Sequence, residues 1–172
     1  FSYGDDLGAG VLWSLDLRHR LQEMMQTFVA NGRPALGICN GFQVLVKAGL
    51  LPDSTSMTRP AERDVTLTFN QSGHFECRWA YLQPHPTNIF TEGLDELIYC
   101  PVAHGEGRLM VRDEATAQQL QANGQIALTY VGEGYPANPN GSVLNIAGLC
   151  NKEGNVMGLM PHPEDHVFAW QH

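Results

Sequence analysis

Cys39 lies in Gly37-Ile38-Cys39-Asn40-Gly41, which has the form of a nucleophile elbow carrying cysteine in the serine position. Such an elbow turns so sharply from strand to helix that side chains at its flanks would collide, so small residues are expected on both sides. The turn exposes the sulfur and sets it near the positive end of the following helix, which favours thiolate over thiol. The same helix start offers the Asn40 backbone N–H to an oxyanion. The competing reading is a buried structural cysteine in a Gly-rich turn, because free cysteine is among the most buried residue types.

A thiolate that works by acyl transfer needs a base that later protonates the leaving amine, and histidine is the usual choice. His104-Gly105-Glu106 and His162-Pro163-Glu164 both offer His-x-acid, and both directly follow a predicted strand. In an open parallel sheet the strand ends converge on one edge, where ligands bind and where Cys39 would also sit. Pro161 and Pro163 fix φ on either side of His162 and stiffen its loop, which favours His162 without excluding His104. Glu164 or Glu106 would then hold the ring tautomer and stabilise the imidazolium. His162, Glu164 and His166 at His-x₃-His spacing could instead bind a metal, but the two prolines argue against the helix that usually presents such ligands, and no metal is expected. Gly4, Gly8 and Gly10 resemble a phosphate loop only loosely, since no Lys-Ser/Thr pair follows.

The elements that must position these groups follow from periodicity. Val11, Leu15, Leu21, Met25 and Phe28 predict a helix over Val11 to Ala30, stopped by Asn31-Gly32 and Pro34. Ala35 to Ile38 reads as a strand, followed by the elbow and a helix from Phe42 to Ala48 with Gly49 as its cap. Strands are expected at Val65 to Phe69, Phe75 to Leu82, Ile98 to Val102, Ile126 to Val131, Val143 to Leu149 and Val156 to Met160. Gly154 suits a hairpin turn between the last two. Asp113 to Ala122 reads as a helix, and the turn formers from Tyr135 to Gly141 as a loop. Mixed helices and strands point to an α/β sheet covered on both faces.

With 172 residues the chain fits one domain, residues 1–172, able to bury a core without staples. Eighteen acidic against ten basic residues leave a formal charge of -8, with no cationic cluster to track a phosphate backbone, so nucleic acid is excluded as a partner. No apolar run approaches the roughly 20 residues that span a bilayer, and a cytoplasmic location is expected. Cys39, Cys77, Cys100 and Cys150 show no C-x-x-C pair, so free thiols in a reducing compartment are the default. The chain opens at Phe1 without methionine and ends at His172 without an obvious closing element, as a fragment would.

Five stretches together resemble one family: Phe1-Ser2-Tyr3-Gly4-Asp5, Gly37 to Gln43, His104-Gly105-Glu106-Gly107-Arg108, Asn138-Pro139-Asn140-Gly141-Ser142 and Pro161-His162-Pro163-Glu164. They are similar to the glutaminase components of phosphoribosylformylglycinamidine synthase, class I glutamine amidotransferases of purine biosynthesis. The resemblance implies an open, mostly parallel, flavodoxin-like sheet with flanking helices, lacking here the family's first strands and a glycine pair before Phe1. It implies that Cys39 attacks the glutamine side-chain amide, that His162 and Glu164 complete the triad, and that a thioester is hydrolysed to glutamate with release of ammonia. Asn40, Gly41, Gln43, Phe1 and Ser2 would line the oxyanion and glutamine pocket, and His104, Glu106 and Arg108 would contact glutamine or a partner. The family's ammonia passes to a synthetase that uses ATP and Mg to aminate formylglycinamide ribonucleotide, with a small third subunit in some members. This chain would itself bind no cofactor. A different cysteine hydrolase on the same fold, or an inactive binding module, are the alternatives.

Overall fold

The computed structural model describes residues 8–54, 57, 63–168 and 170–171. The Phe1–Asp5 motif, with the expected pocket residues Phe1 and Ser2, lies outside the described residues. Four α-helices are described: α1 (Val11–His19), α2 (Gln22–Ala30), α3 (Asn40–Ala48) and α4 (Glu114–Ala122). Six strands form one sheet: β1 (Ala35–Ile38), β3 (Glu76–Pro84), β4 (Ile98–His104), β6 (Ile126–Tyr130), β7 (Ile146–Cys150) and β8 (Val156–Leu159). A separate antiparallel pair joins β2 (Val65–Thr68) to β5 (Arg108–Val111). Among the described residues no helix is long and apolar enough to cross a membrane.

The sheet order is β1-β8-β7-β6-β3-β4, and its pairing is mixed rather than mostly parallel. Only β1 and β8 pair in parallel; every other neighbour is antiparallel. The β7–β8 hairpin turns through Asn151 to Asn155, with Gly154 at φ +72° as the turn requires. Because β7 and β3 are the two reversed strands, β1, β8, β6 and β4 all point the same way. Their carboxyl ends share one rim, so the convergence expected of a parallel sheet survives in a mixed one.

The helix expected over Val11 to Ala30 is two helices, broken at Arg20 and Leu21. Leu15 and Leu21 are six residues apart, which at 3.6 residues per turn rotates the apolar stripe by about a third of a turn. One straight helix could not keep both on a single face. The Arg20 and Leu21 amides both reach the Asp16 carbonyl, closing the first helix before α2 begins in a new direction. The short strand β5 was not foreseen; it buries Leu109 against β2.

Core residues lie on both faces of the sheet. One face holds Phe42, Leu45, Leu50, Leu149 and Val156 under α3, and the other holds Leu82, Cys100, Val102, Leu128, Tyr130 and Leu159. Helix α3 sits unusually close to the sheet because Gly37 and Gly158 stand side by side in the β1–β8 register. A Cβ at Gly37 would lie 2.6 Å from the backbone of Gly41, and one at Gly158 would penetrate the Phe42 ring. Gly158→Ala should therefore destabilise the fold by about 1–3 kcal/mol. Thermal or urea denaturation should find Gly158→Ala and Phe42→Leu less than additive; strict additivity would show that ring and strand are not in contact.

Candidate active site

Cys39 follows β1 at φ +50° and ψ -105°, a left-handed conformation that a non-glycine residue holds only when its surroundings demand it. The demand is geometric. The Cys39 amide donates to the Leu159 carbonyl of β8 at 2.8 Å, while its own carbonyl accepts from Gln43 as α3 begins. Strand pairing and helix initiation thus meet at one residue, and the chain must turn there. The Gly37 flank is required to be glycine, as the elbow predicts, but among the described residues a Cβ at Gly41 would meet nothing within 4 Å. Among those residues Gly41 therefore relieves no collision of the kind that Gly37 does.

His162 lies three residues beyond β8, the strand parallel to β1, so it reaches the same rim as Cys39. Its ring is buried, 1% exposed, and Nδ1 stands 2.8 Å from Glu164 Oε1. A carboxylate only accepts, so Nδ1 carries the proton and Nε2 is the basic nitrogen. Pro163 opens the 3-10 turn Pro163–Asp165 that brings Glu164 back under the ring. Asp165 Oδ2 is 3.9 Å from the same Nδ1, so His162, Glu164 and Asp165 form the described cluster of metal-type ligands. His166, weighed earlier as a ligand, turns away: its Nδ1 pairs with the Tyr99 carbonyl at 2.6 Å and its ring meets Trp79 edge-on.

The sulfur is not the thiolate that the helix terminus alone would favour. Burial pushes the Cys39 thiol up to about 11; the Asn40 backbone hydrogen bond opposes this, and the charge of Glu164 adds to it. The sulfur also points at the Ala103 carbonyl, 3.8 Å away, an acceptor that suits S–H better than S⁻. In the substrate-free state Cys39 is thus a protonated thiol. Cys77, Cys100 and Cys150 are free thiols as well.

His104, the last residue of β4, also reaches the rim, but it is wired differently. Asn70 donates its amide to the His104 and His74 carbonyls, which fixes its Oδ1 as an acceptor for the Gly107 amide and for His104 Nδ1 at 3.1 Å. Asn70 had no motif to announce it, yet it organises the whole second motif. Gln43, expected in the glutamine pocket, is buried with its Nε2 on the Glu106 carbonyl at 2.6 Å, so it ties α3 to that motif. Arg108 directs Nε to the Gly141 carbonyl. Asn140 donates to the Gly107 carbonyl, and Ser142 Oγ accepts from the Leu109 amide. The second motif and the Asn138–Ser142 loop therefore hold each other in place.

Residues 1–172 match the family described as the CobB/CobQ-like glutamine amidotransferase domain. The chain belongs to this family. It is 47% identical to phosphoribosylformylglycinamidine synthase subunit PurQ of Treponema denticola over 97% of its own length and 68% of that protein. Its identity to the same-named subunit of Methanococcus maripaludis is 42%, over 98% of this chain and 64% of the relative. The chain thus spans about two thirds of the length of these relatives. Among solved structures it is similar to one described as PurLQS from Thermotoga maritima, with a TM-score of 0.74 and 34% identity, covering 98% of this chain and 68% of that one. The class I glutamine amidotransferase α/β fold is accordingly the fold of this glutamine amidotransferase domain.

Because burial and the Glu164 charge both hold the thiol proton on, alkylation of Cys39 by iodoacetamide should keep accelerating from pH 7 through pH 9. Glu164→Gln removes one of the two raising influences and should move that profile to lower pH. A rate plateau already reached at neutral pH in the unsubstituted protein would contradict the thiol assignment.

Proposed function

We propose that this domain hydrolyses glutamine to glutamate and ammonia as the glutaminase component of phosphoribosylformylglycinamidine synthase in purine biosynthesis. The observation that carries the reading is the pairing of a strained Cys39 elbow with a His162–Glu164 couple on the adjoining parallel strand. A cysteine thiol, a histidine whose Nε2 is the basic nitrogen and an acid that orients it are the parts of nucleophilic acyl transfer.

The chemistry follows from those parts. His162 Nε2 takes the Cys39 proton as the sulfur attacks the side-chain carbonyl carbon of glutamine. The oxyanion that forms faces the Asn40 amide at the start of α3, with the helix dipole behind it. As the C–N bond breaks, His162 returns the proton to the leaving nitrogen and ammonia departs, leaving a γ-glutamyl thioester. Water then attacks the thioester and gives its proton to His162, and collapse of the second tetrahedral intermediate releases glutamate and restores the thiol. No step needs a cofactor. ATP and Mg belong on a synthetase partner that consumes the ammonia, and a complex with such a partner and a small third subunit agrees with the relative described as PurLQS.

A diazoketone analogue of glutamine should label the intact protein at Cys39, as read by peptide mass spectrometry. Undiminished labelling in Cys39→Ala would sink the assignment. His162→Asn should lower kcat by at least about 10³, since it removes the group that moves the proton in both half-reactions.

A further inference from the structure

We infer that His104 is a specificity-determining residue whose bare Nε2 accepts an N–H of the substrate's carboxamide, so that the site selects an amide over a carboxylate or an ester. The inference rests on the glutaminase reading given above and names how that site recognises its substrate.

His104 is 3% exposed, and its Nε2 has no hydrogen-bond partner among the described residues. A buried polar atom left without a partner is costly, and a retained one calls for an explanation. The tautomer is decided by Asn70, whose Oδ1 must accept, so His104 Nδ1 carries the proton and Nε2 is a lone-pair acceptor. The bond to Asn70 holds the ring with Nδ1 on that side, where Gly107 packs so closely that a Cβ there would lie 2.5 Å from Nδ1.

Its place in the strand sets His104 next to the residue that meets the nucleophile. Ala103, its neighbour in β4, is the residue whose carbonyl meets Cys39 Sγ. Strand alternation places His104 on the same face as Cys100 and Val102, the face against whose core Ile38 packs. Glu76 faces His104 across the β3–β4 pair and is itself engaged by Arg78 at 2.7 Å.

The chemistry fits a primary amide. Attack by Cys39 leaves the –NH₂ group of glutamine with two N–H donors that need acceptors in a dry site, and a neutral imidazole nitrogen supplies one. Burial, opposed by the ring's own backbone hydrogen bond and assisted by His162, holds His104 down at about 4, so it stays unprotonated at neutral pH. It can therefore hold the nascent ammonia without protonating it, which matters if ammonia is to travel on as a nucleophile. The product glutamate has no N–H at that end, and its carboxylate would face a lone pair. A site built to satisfy a substrate N–H discriminates strongly against analogues that lack it.

The test compares glutamine with glutamate γ-methyl ester, which has the same acyl group and no amide N–H, on the intact protein assembled with its synthetase. His104→Asn keeps a donor toward Asn70 but ends short of the Nε2 position. It should lower kcat/KM for glutamine by roughly 10- to 100-fold while changing the ester by less than about threefold. Equal losses on both substrates, with the unsubstituted protein active, would overturn this inference and leave the glutaminase reading standing. If His104→Asn does not fold, His104→Gln, which carries an amide oxygen out to the Nε2 position, should retain the preference for the amide. Loss of that preference in a folded His104→Gln protein overturns the inference too. An unsubstituted protein that cleaves neither substrate removes the glutaminase reading and the inference together.

Discussion

The free edge of β4 is the constraint on which the site depends. An edge strand presents carbonyls that must find donors, and here three alternate ones do so in sequence. Tyr99 accepts from His166 Nδ1, Pro101 from the His162 amide at 2.8 Å, and Ala103 faces the Cys39 sulfur. The spacing of two residues is the strand period, so all three carbonyls point out of the same edge. Pro101 fits there because its missing N–H falls on the side where no strand follows. Since β4 and β1 are opposite ends of the sheet, these contacts require the sheet to curl until its two ends face each other across the rim. The proposed nucleophile and base are thus fixed against a common backbone rail as well as against each other's strands.

That closure has an electrostatic consequence. Bringing β4 over Cys39 leaves the sulfur half-buried, and the resulting desolvation outweighs the Asn40 backbone hydrogen bond. A helix start lowers a thiol only where the thiolate can still be solvated or paired. With Glu164 nearby and negative, a resting ion pair of Cys39 with His162 has little to recommend it, so proton transfer has to accompany attack. The same partial desolvation strengthens the Asn40 amide as an oxyanion donor, because its dipole acts in a lowered dielectric.

What the sequence made legible was local. The elbow, the His162–Glu164 spacing and most strands are written within a few residues of one another, and the short contact between His162 Nδ1 and Glu164 Oε1 follows from a two-residue separation stiffened by proline. What stayed hidden depends on partners far along the chain. The antiparallel majority of the sheet is set by pairings such as Glu76 with His104, and β5 acquires its identity only opposite Val65 to Thr68. The break in the first helix was readable, since Leu15 and Leu21 are out of phase, but a count of apolar residues passes over it. Asn70 carries no motif, and only the folded chain reveals that its single carboxamide sets the tautomer of His104.

The co-occurrence of the Asn138–Ser142 loop and the His104–Arg108 segment has a physical reason. His104 can keep an unpaired buried nitrogen only if the ring is clamped from its other side, and the clamp is Asn70 with the Gly107 backbone. Gly107 is in turn held by Asn140, whose Nδ2 bonds both the Gly107 carbonyl and the Tyr130 hydroxyl at the end of β6. Asn138 folds the loop that presents Asn140 by accepting from the Gly141 and Ser142 amides. Each asparagine needs both its donor and its acceptor, so aspartate or leucine of similar size would satisfy only part of the network. The loop far from Cys39 in sequence is therefore tied to the rim through the backbone it holds, and its polar residues are dictated by hydrogen-bond count rather than by contact with the reacting atoms.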